Sequence, residues 1–143
     1  MEKKIYGVEA FLNRPKALEE EIRGDIDHIA SLRSIVEKTT THLSFTAGRN
    51  PSKNEKTFEN VMIQIAEEEA ALEEKQKRLV ELKLEVENFI SRLHKKEYSM
   101  ILRHRYMEGL EMSSIMMLMH LAKTTAYDLL ADALKAAAKL YAE

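Results

Sequence analysis

A heptad seam dominates the middle of the chain. Phe58, Val61, Ile65, Leu72, Leu79, Leu82, Val86, Phe89 and Leu93 follow alternating three- and four-residue steps, interrupted only where Glu68 and Lys75 occupy seam positions. A pattern this long fits one extended α-helix that buries a stripe against other helices, and it fits no strand, whose side chains repeat every two residues. A second stripe precedes it. Leu18, Ile22, Ile29, Leu32 and Val36 recur among Glu19, Glu20, Glu21, Arg23 and Glu37, an amphipathic helical face. The two stripes predict an antiparallel helical hairpin or coiled coil over residues 1–94. Composition points the same way, since four glycines and two prolines in 143 residues leave few helix breakers, so the expected fold class is all-α.

Local signals set the expected ends of these helices. Pro15 reads as a first-turn residue after Asn13 as cap, which predicts a break or bend near residues 13–15. Ile5, Val8, Phe11 and Leu12 form a short apolar cluster ahead of that break, expected to pack back onto a neighbour. The stretch TTTHLSFTAGRNPSKN, with Gly48, Asn50 and Pro51, predicts a loop over about residues 39–54. Ser52-Lys53-Asn54-Glu55 has the capping-box pattern for the next helix. On these bounds the second helix outruns the first by several turns, and a homodimer through the long helices is expected to cover the surplus seam. Glu67-Glu68-Glu69 and Glu73 to Arg78 read as a solvated helix face.

From Lys95 the pattern changes, giving a second domain over residues 95–143. Tyr98, Ile101, Leu102 and Tyr106 make one apolar face and Glu108-Gly109 ends that helix. Ile115, Leu118 and Met119 make a short second helix, and Ala126, Leu130, Ala133, Leu134 and Ala137 line the inner side of a third. A short helix, a tight turn and a longer helix is the order of a helix-turn-helix unit.

The string YSMILRHRYMEGLEMSSIMMLMHLAKTTAYDLLADALKAA resembles region four of bacterial primary sigma factors, and more closely the small phage and prophage proteins that resemble that region. The L-R-x-R-Y-x-E-G segment ahead of the family's helix-turn-helix is matched by Leu102 to Gly109, and a later A-L by Ala133-Leu134. The phage proteins also carry a heptad-rich N-terminal half with a threonine-containing loop, so the resemblance covers most of the chain. It implies a DNA-binding transcriptional regulator in which Lys123, Thr124, Thr125 and Tyr127 face base edges. Arg92, Lys95, Lys96, Arg103 and Arg105, a basic cluster beside that helix, would hold phosphates of double-stranded DNA. The chain departs from the family at Ser113-Ser114, where an acidic pair is usual, at Met116, usually a small residue, and at His120, usually a turn glycine. Asp128, Asp132 and Leu129 also stand on the reading side, with Leu129 where a basic residue is common.

Those departures define a rival. If helical phase is kept, Met117 points outward, and with Leu129 it would form an apolar patch for a protein partner such as RNA polymerase, a repressor or a host defence effector. The six methionines between Met100 and Met119 otherwise read as core filler. Arg103 and Arg105 have an alternative role too, pairing with Glu108 or Glu111 beside the core.

Other chemistries find no footing in the sequence. No cysteine is present, which removes disulfides and thiolate sites and fits a reducing compartment. The histidines at 28, 42, 94, 104 and 120 show no metal-ligand spacing with carboxylates, and no phosphate loop or nucleophile motif occurs, so neither an enzyme nor a cofactor is expected. A net charge of −2 leaves any DNA affinity to local patches. No run of membrane-spanning or signal-peptide character appears, so a cytoplasmic protein is expected, acting in a bacterial host and encoded by a phage or prophage.

Overall fold

The computed structural model describes the backbone of residues 2–45 and 51–143 and the side chains of residues 4–38 and 55–143. The described chain is all-helical. Its elements are α1 (Glu2–Phe45), α2 (Pro51–Ser91), α3 (Lys96–Leu102), a π-helical turn (Arg103–Met107), α4 (Met112–Met119) and α5 (Lys123–Ala142). Contacts divide the chain into two compact units, Met1–Leu18 with Leu79–Glu143, and Glu19–Arg78. The expected boundary between residues 94 and 95 falls inside the first of these.

Within Glu19–Arg78, Ile29, Leu32 and Ile65 are buried, and Val36, Val61 and Leu72 pack on them. Ion pairs fix the direction of the two segments. Lys75 Nζ reaches Asp25 at 2.7 Å and Glu21 at 2.8 Å, His28 Nε2 lies 3.1 Å from Glu68, and Arg33 bonds Glu69. Glu21 and Asp25 meet residue 75 whereas His28 and Arg33 meet residues 68 and 69, so the segments run antiparallel. The polar seam positions thus meet polar partners, and Lys75 is held above the usual lysine value, first by its bond to Asp25 and then by Glu21. Most of the other charges between Glu67 and Arg78 are exposed, as expected of a solvated face.

The unit of Met1–Leu18 with Leu79–Glu143 has a larger core. Val8, Phe11 and Leu12 of α1 join Val86, Phe89, Ile90 and Leu93 of α2, Ile101 and Leu102 of α3, Met112 and Ile115 of α4, and Ala126, Ala133, Leu134, Ala137 and Ala138 of α5. Small residues on α5 let its backbone approach the others closely. Phe11, Phe89 and Tyr141 tie three helices together, with ring centroids 5.2 to 6.0 Å apart. Past Ser91 the chain turns, and the Ile90 carbonyl accepts both the Leu93 N–H at 3.1 Å and the buried Ser99 hydroxyl at 3.0 Å, which ties α3 to the end of α2.

Three expectations about helix ends are corrected. Helix α1 runs through Pro15 without a break. Proline removes one ladder bond, to the carbonyl of Phe11, but the ring is buried and the helix on both sides is held by packing. Of the loop expected over 39–54, residues 39–45 and 51–54 are helical, and residues 46–50, with Gly48 and Asn50, lie outside the described residues. Described from Pro51 onward, α2 contains Ser52, which therefore does not stand at its cap.

Continuity through Pro15 makes α1 longer than expected. At 44 and 41 residues α1 and α2 are of similar length, and the seam of α2 from Leu82 to Leu93 is covered within the unit by the first turns of α1 together with the C-terminal helices.

Candidate functional site

The C-terminal helices α3 to α5 and the π turn pack into one corner. Leu102 passes into the π turn, where Glu108 N–H bonds the Arg103 carbonyl and Leu110 N–H bonds His104 at 2.9 Å each. Gly109 ends the coil at φ 69°, a left-handed conformation natural to glycine. Helix α4 follows with Met112 and Ile115 buried beneath it.

The end of α4 is made by a residue other than glycine. His120 adopts φ 55°, ψ 46°, its N–H bonds the Met117 carbonyl at 3.4 Å, and Leu121 N–H bonds Met116 at 2.9 Å. Paired bonds of this kind form the Schellman stop, so His120 occupies the place where a glycine is preferred. Histidine tolerates left-handed backbone better than most residues do. Three residues, His120 to Ala122, then separate α4 from α5.

Helix α5 starts at Lys123 with Ala122 as N-cap and no side-chain cap. Its first N–H groups therefore have no side-chain acceptor and carry the positive end of the helix dipole. Around them Lys123, Thr124, Thr125 and Tyr127 are exposed, with Tyr127 48% open, while Ala126 is fully buried and fixes which way the turn faces. Asp128 and Asp132 are exposed further along the helix. Asp132 lines a groove of about 530 Å³ together with His94, Tyr98, Lys135 and Lys139, so two lysines stand on that side of the helix.

The expected phosphate ligands fall into two groups. Arg92, Lys95 and Lys96 are exposed, with Lys95 Nζ 5.3 Å from the Tyr98 ring centroid. Arg103, by contrast, is engaged: Nε donates to Glu87 Oε1 at 2.7 Å and Nη2 to Ser91 Oγ at 3.1 Å. Arg105 Nη1 donates to the Leu110 carbonyl at 3.1 Å, and His104 Nδ1 lies 2.8 Å from Glu108. Pairing beside the core thus occurs, with partners other than the Glu108 or Glu111 named for these arginines. Glu87 lies on another helix, beyond the reach of local spacing.

The apolar surface also differs from its expectation. Met117 is 78% exposed, but Leu129 is partly buried against the core and does not extend that patch. Leu118, expected inward, is 58% exposed and stands beside Met117 on the outer side of α4 with Ser113 and Ser114. Helical phase explains the difference, because Met112 and Ile115 set the inner face and Met116 and Met119, not Leu118, fall next to it. Met107, Met112, Met116 and Met119 all pack in or on the core, the gap-filling role.

A family model matches residues 44–138, from the end of α1 to the last turns of α5. The chain belongs to the DUF1492 family. That family is described as a protein of unknown function, so DUF1492 membership assigns no activity, although the matched span contains every residue of the α4–α5 corner. No curated protein and no solved structure matches the chain. Among the described residues no helix is long and apolar enough to cross a membrane, and no group of three or more histidine or carboxylate side chains is placed to hold a metal ion.

Proposed function

We propose that this DUF1492 chain is a DNA-binding transcriptional regulator of the phage type, in which a helical hairpin carries a helix-turn-helix like that of sigma region four. The single observation that carries the reading is the exposed, uncapped first turn of α5. Its N–H groups, Lys123 and the hydroxyls of Thr124 and Thr125 offer donors together at the end of a helix dipole, an arrangement suited to a phosphate and to base edges. Tyr127 extends this face. Arg92, Lys95 and Lys96 supply further phosphate contacts; Arg105 keeps free N–H groups, and Arg103 serves mainly as a strut through Glu87. Asp128 and Asp132 oppose this field, and they reduce affinity at that end of the helix.

Selection from a random duplex pool at low salt tests the reading. Enrichment of a sequence motif that Thr124→Ala, Thr125→Ala or Tyr127→Ala alters is the expected result; failure to retain any duplex contradicts it.

A second reading is favoured by the outer side of α4. Met117 and Leu118, adjacent and mostly exposed, give a flexible apolar contact of the kind protein partners use. On this reading the module binds a protein such as RNA polymerase, without sequence-specific DNA contacts. Purified polymerase that binds the native chain and not Met117→Glu would support it, and equal binding by both would exclude this patch.

A further inference from the structure

We infer that Asp25 and Lys75 are a register lock, selecting one antiparallel alignment of the Glu19–Arg78 unit over heptad-slipped and parallel self-paired alternatives. The seam of α2 advances three and four residues at a time from Phe58 to Leu93, with Lys75 on it. The stripe of α1 obeys the same rule when Asp25 is counted between Ile22 and Ile29. Each stripe therefore has a charge at a position that its pattern reserves for an apolar side chain, and the fold places those two charges 2.7 Å apart. Both side chains are about one third exposed, with Glu21 on the neighbouring turn as a second partner for Lys75 at 2.8 Å.

An unbroken heptad repeat leaves alignment underdetermined, because sliding one helix by seven residues returns apolar groups to apolar groups. Beside the packing of Val8, Phe11 and Leu12 at the other ends of these helices, the two charges select among the alignments of the Glu19–Arg78 unit. A slip of one heptad in one direction sets Lys75 against Leu32, leaving an unpaired ammonium in the seam; the opposite slip brings Asp25 up to Glu68, a like-charge contact. Parallel pairing of two α2 helices in register would set Lys75 against Lys75 and Glu68 against Glu68. Only the native antiparallel alignment joins Lys75 to both Asp25 and Glu21. A single polar seam residue that specifies alignment is a known use of such groups in coiled coils.

The absence of cysteine makes alignment directly measurable. Spin labels on cysteines introduced at the exposed positions Ser34 and Glu67 report one distance if the register is unique, and a heptad slip changes axial position by about 10 Å. The full chain and the charge-swapped Glu21→Gln/Asp25→Lys/Lys75→Asp variant, in which the like-charge contact with Glu21 is removed, should each give one narrow distance and one species in sedimentation velocity. Asp25→Leu/Lys75→Leu, with a fully apolar match there, should keep its helix content yet give a second distance or a concentration-dependent larger species. A single, unchanged distance and species in the leucine variant would overturn the lock. So would a broadened distance in the charge swap with helix content retained.

Discussion

Arg103 Nε donates to Glu87 Oε1 at 2.7 Å, joining the π turn to the last turns of α2 across 16 residues of sequence. The side chains are 35% and 40% exposed, so the pair is solvent-screened and is worth roughly 0.2–1 kcal/mol. Arg103→Gln and Glu87→Gln should each lower unfolding stability by about 0.5 kcal/mol in urea titrations, and the double variant should be little worse than either. A loss in the double variant equal to the sum of the two would show that the residues act independently.

His120 holds left-handed backbone where a glycine would be unstrained. His120→Gly should stabilise the chain by about 1 kcal/mol, a relief of backbone strain partly offset by the freer unfolded chain. His120→Val should destabilise it, because branching at Cβ is least compatible with this conformation. Thermal melts check both, and a lower midpoint for the glycine variant would mean that the imidazole makes a contribution larger than the strain.

Burial separates the two faces of α4. Ile115 is fully buried and Met117 is 78% exposed, so Ile115→Ala should cost about 2–5 kcal/mol through lost contacts and a cavity. Met117→Glu should change stability by no more than about 0.5 kcal/mol. Denaturant midpoints test this contrast, and a large loss at Met117 would place it in the core.

Tyr106 is pushed up to about 12, mainly because burial disfavours the phenolate, with Glu9 adding repulsion and Arg105 partly opposing both. Its folded value lies above the ordinary tyrosine value of 10.0, so the folded chain retains a proton that the unfolded chain gives up. Stability should therefore fall as pH rises from about 10 towards 12, with no contribution below that window. Ultraviolet titration should show a phenolate step near 12 that disappears in Tyr106→Phe; persistence of that step would reassign it.

The helical class and both stripes were legible because each rests on a local period that packing preserves. Pro15 shows where such reading stops. Proline is a strong local signal for a helix start, but its ring is buried, and the helix before it is held by Phe11 and Leu12 against α2 and α5. Taking Pro15 as a break shortens α1, and the far seam of α2 then lacks the cover that Val8, Phe11 and Leu12 supply. At the site, helical phase put Met117 outside, where it lies, and Lys123, Thr124, Thr125 and Tyr127, named from the family resemblance, are exposed. The inward placing of Leu118 and the exposed patch at Leu129 failed, because the face of a short helix is set by what packs beneath it. The bond from Arg103 to Glu87 had no local signal, since it joins residues on different elements.

The central claim is that the first turn of α5 meets the DNA backbone, and binding to promoter-containing duplex across a salt series measures it. The native chain should bind with an affinity that falls steeply with salt, as neutralised phosphates release counterions. Lys123→Gln should weaken binding and lower the magnitude of the log–log slope by about 1, whereas Arg103→Gln should leave that slope unchanged. Absence of binding at low salt, or a slope that Lys123→Gln does not alter, would contradict the account.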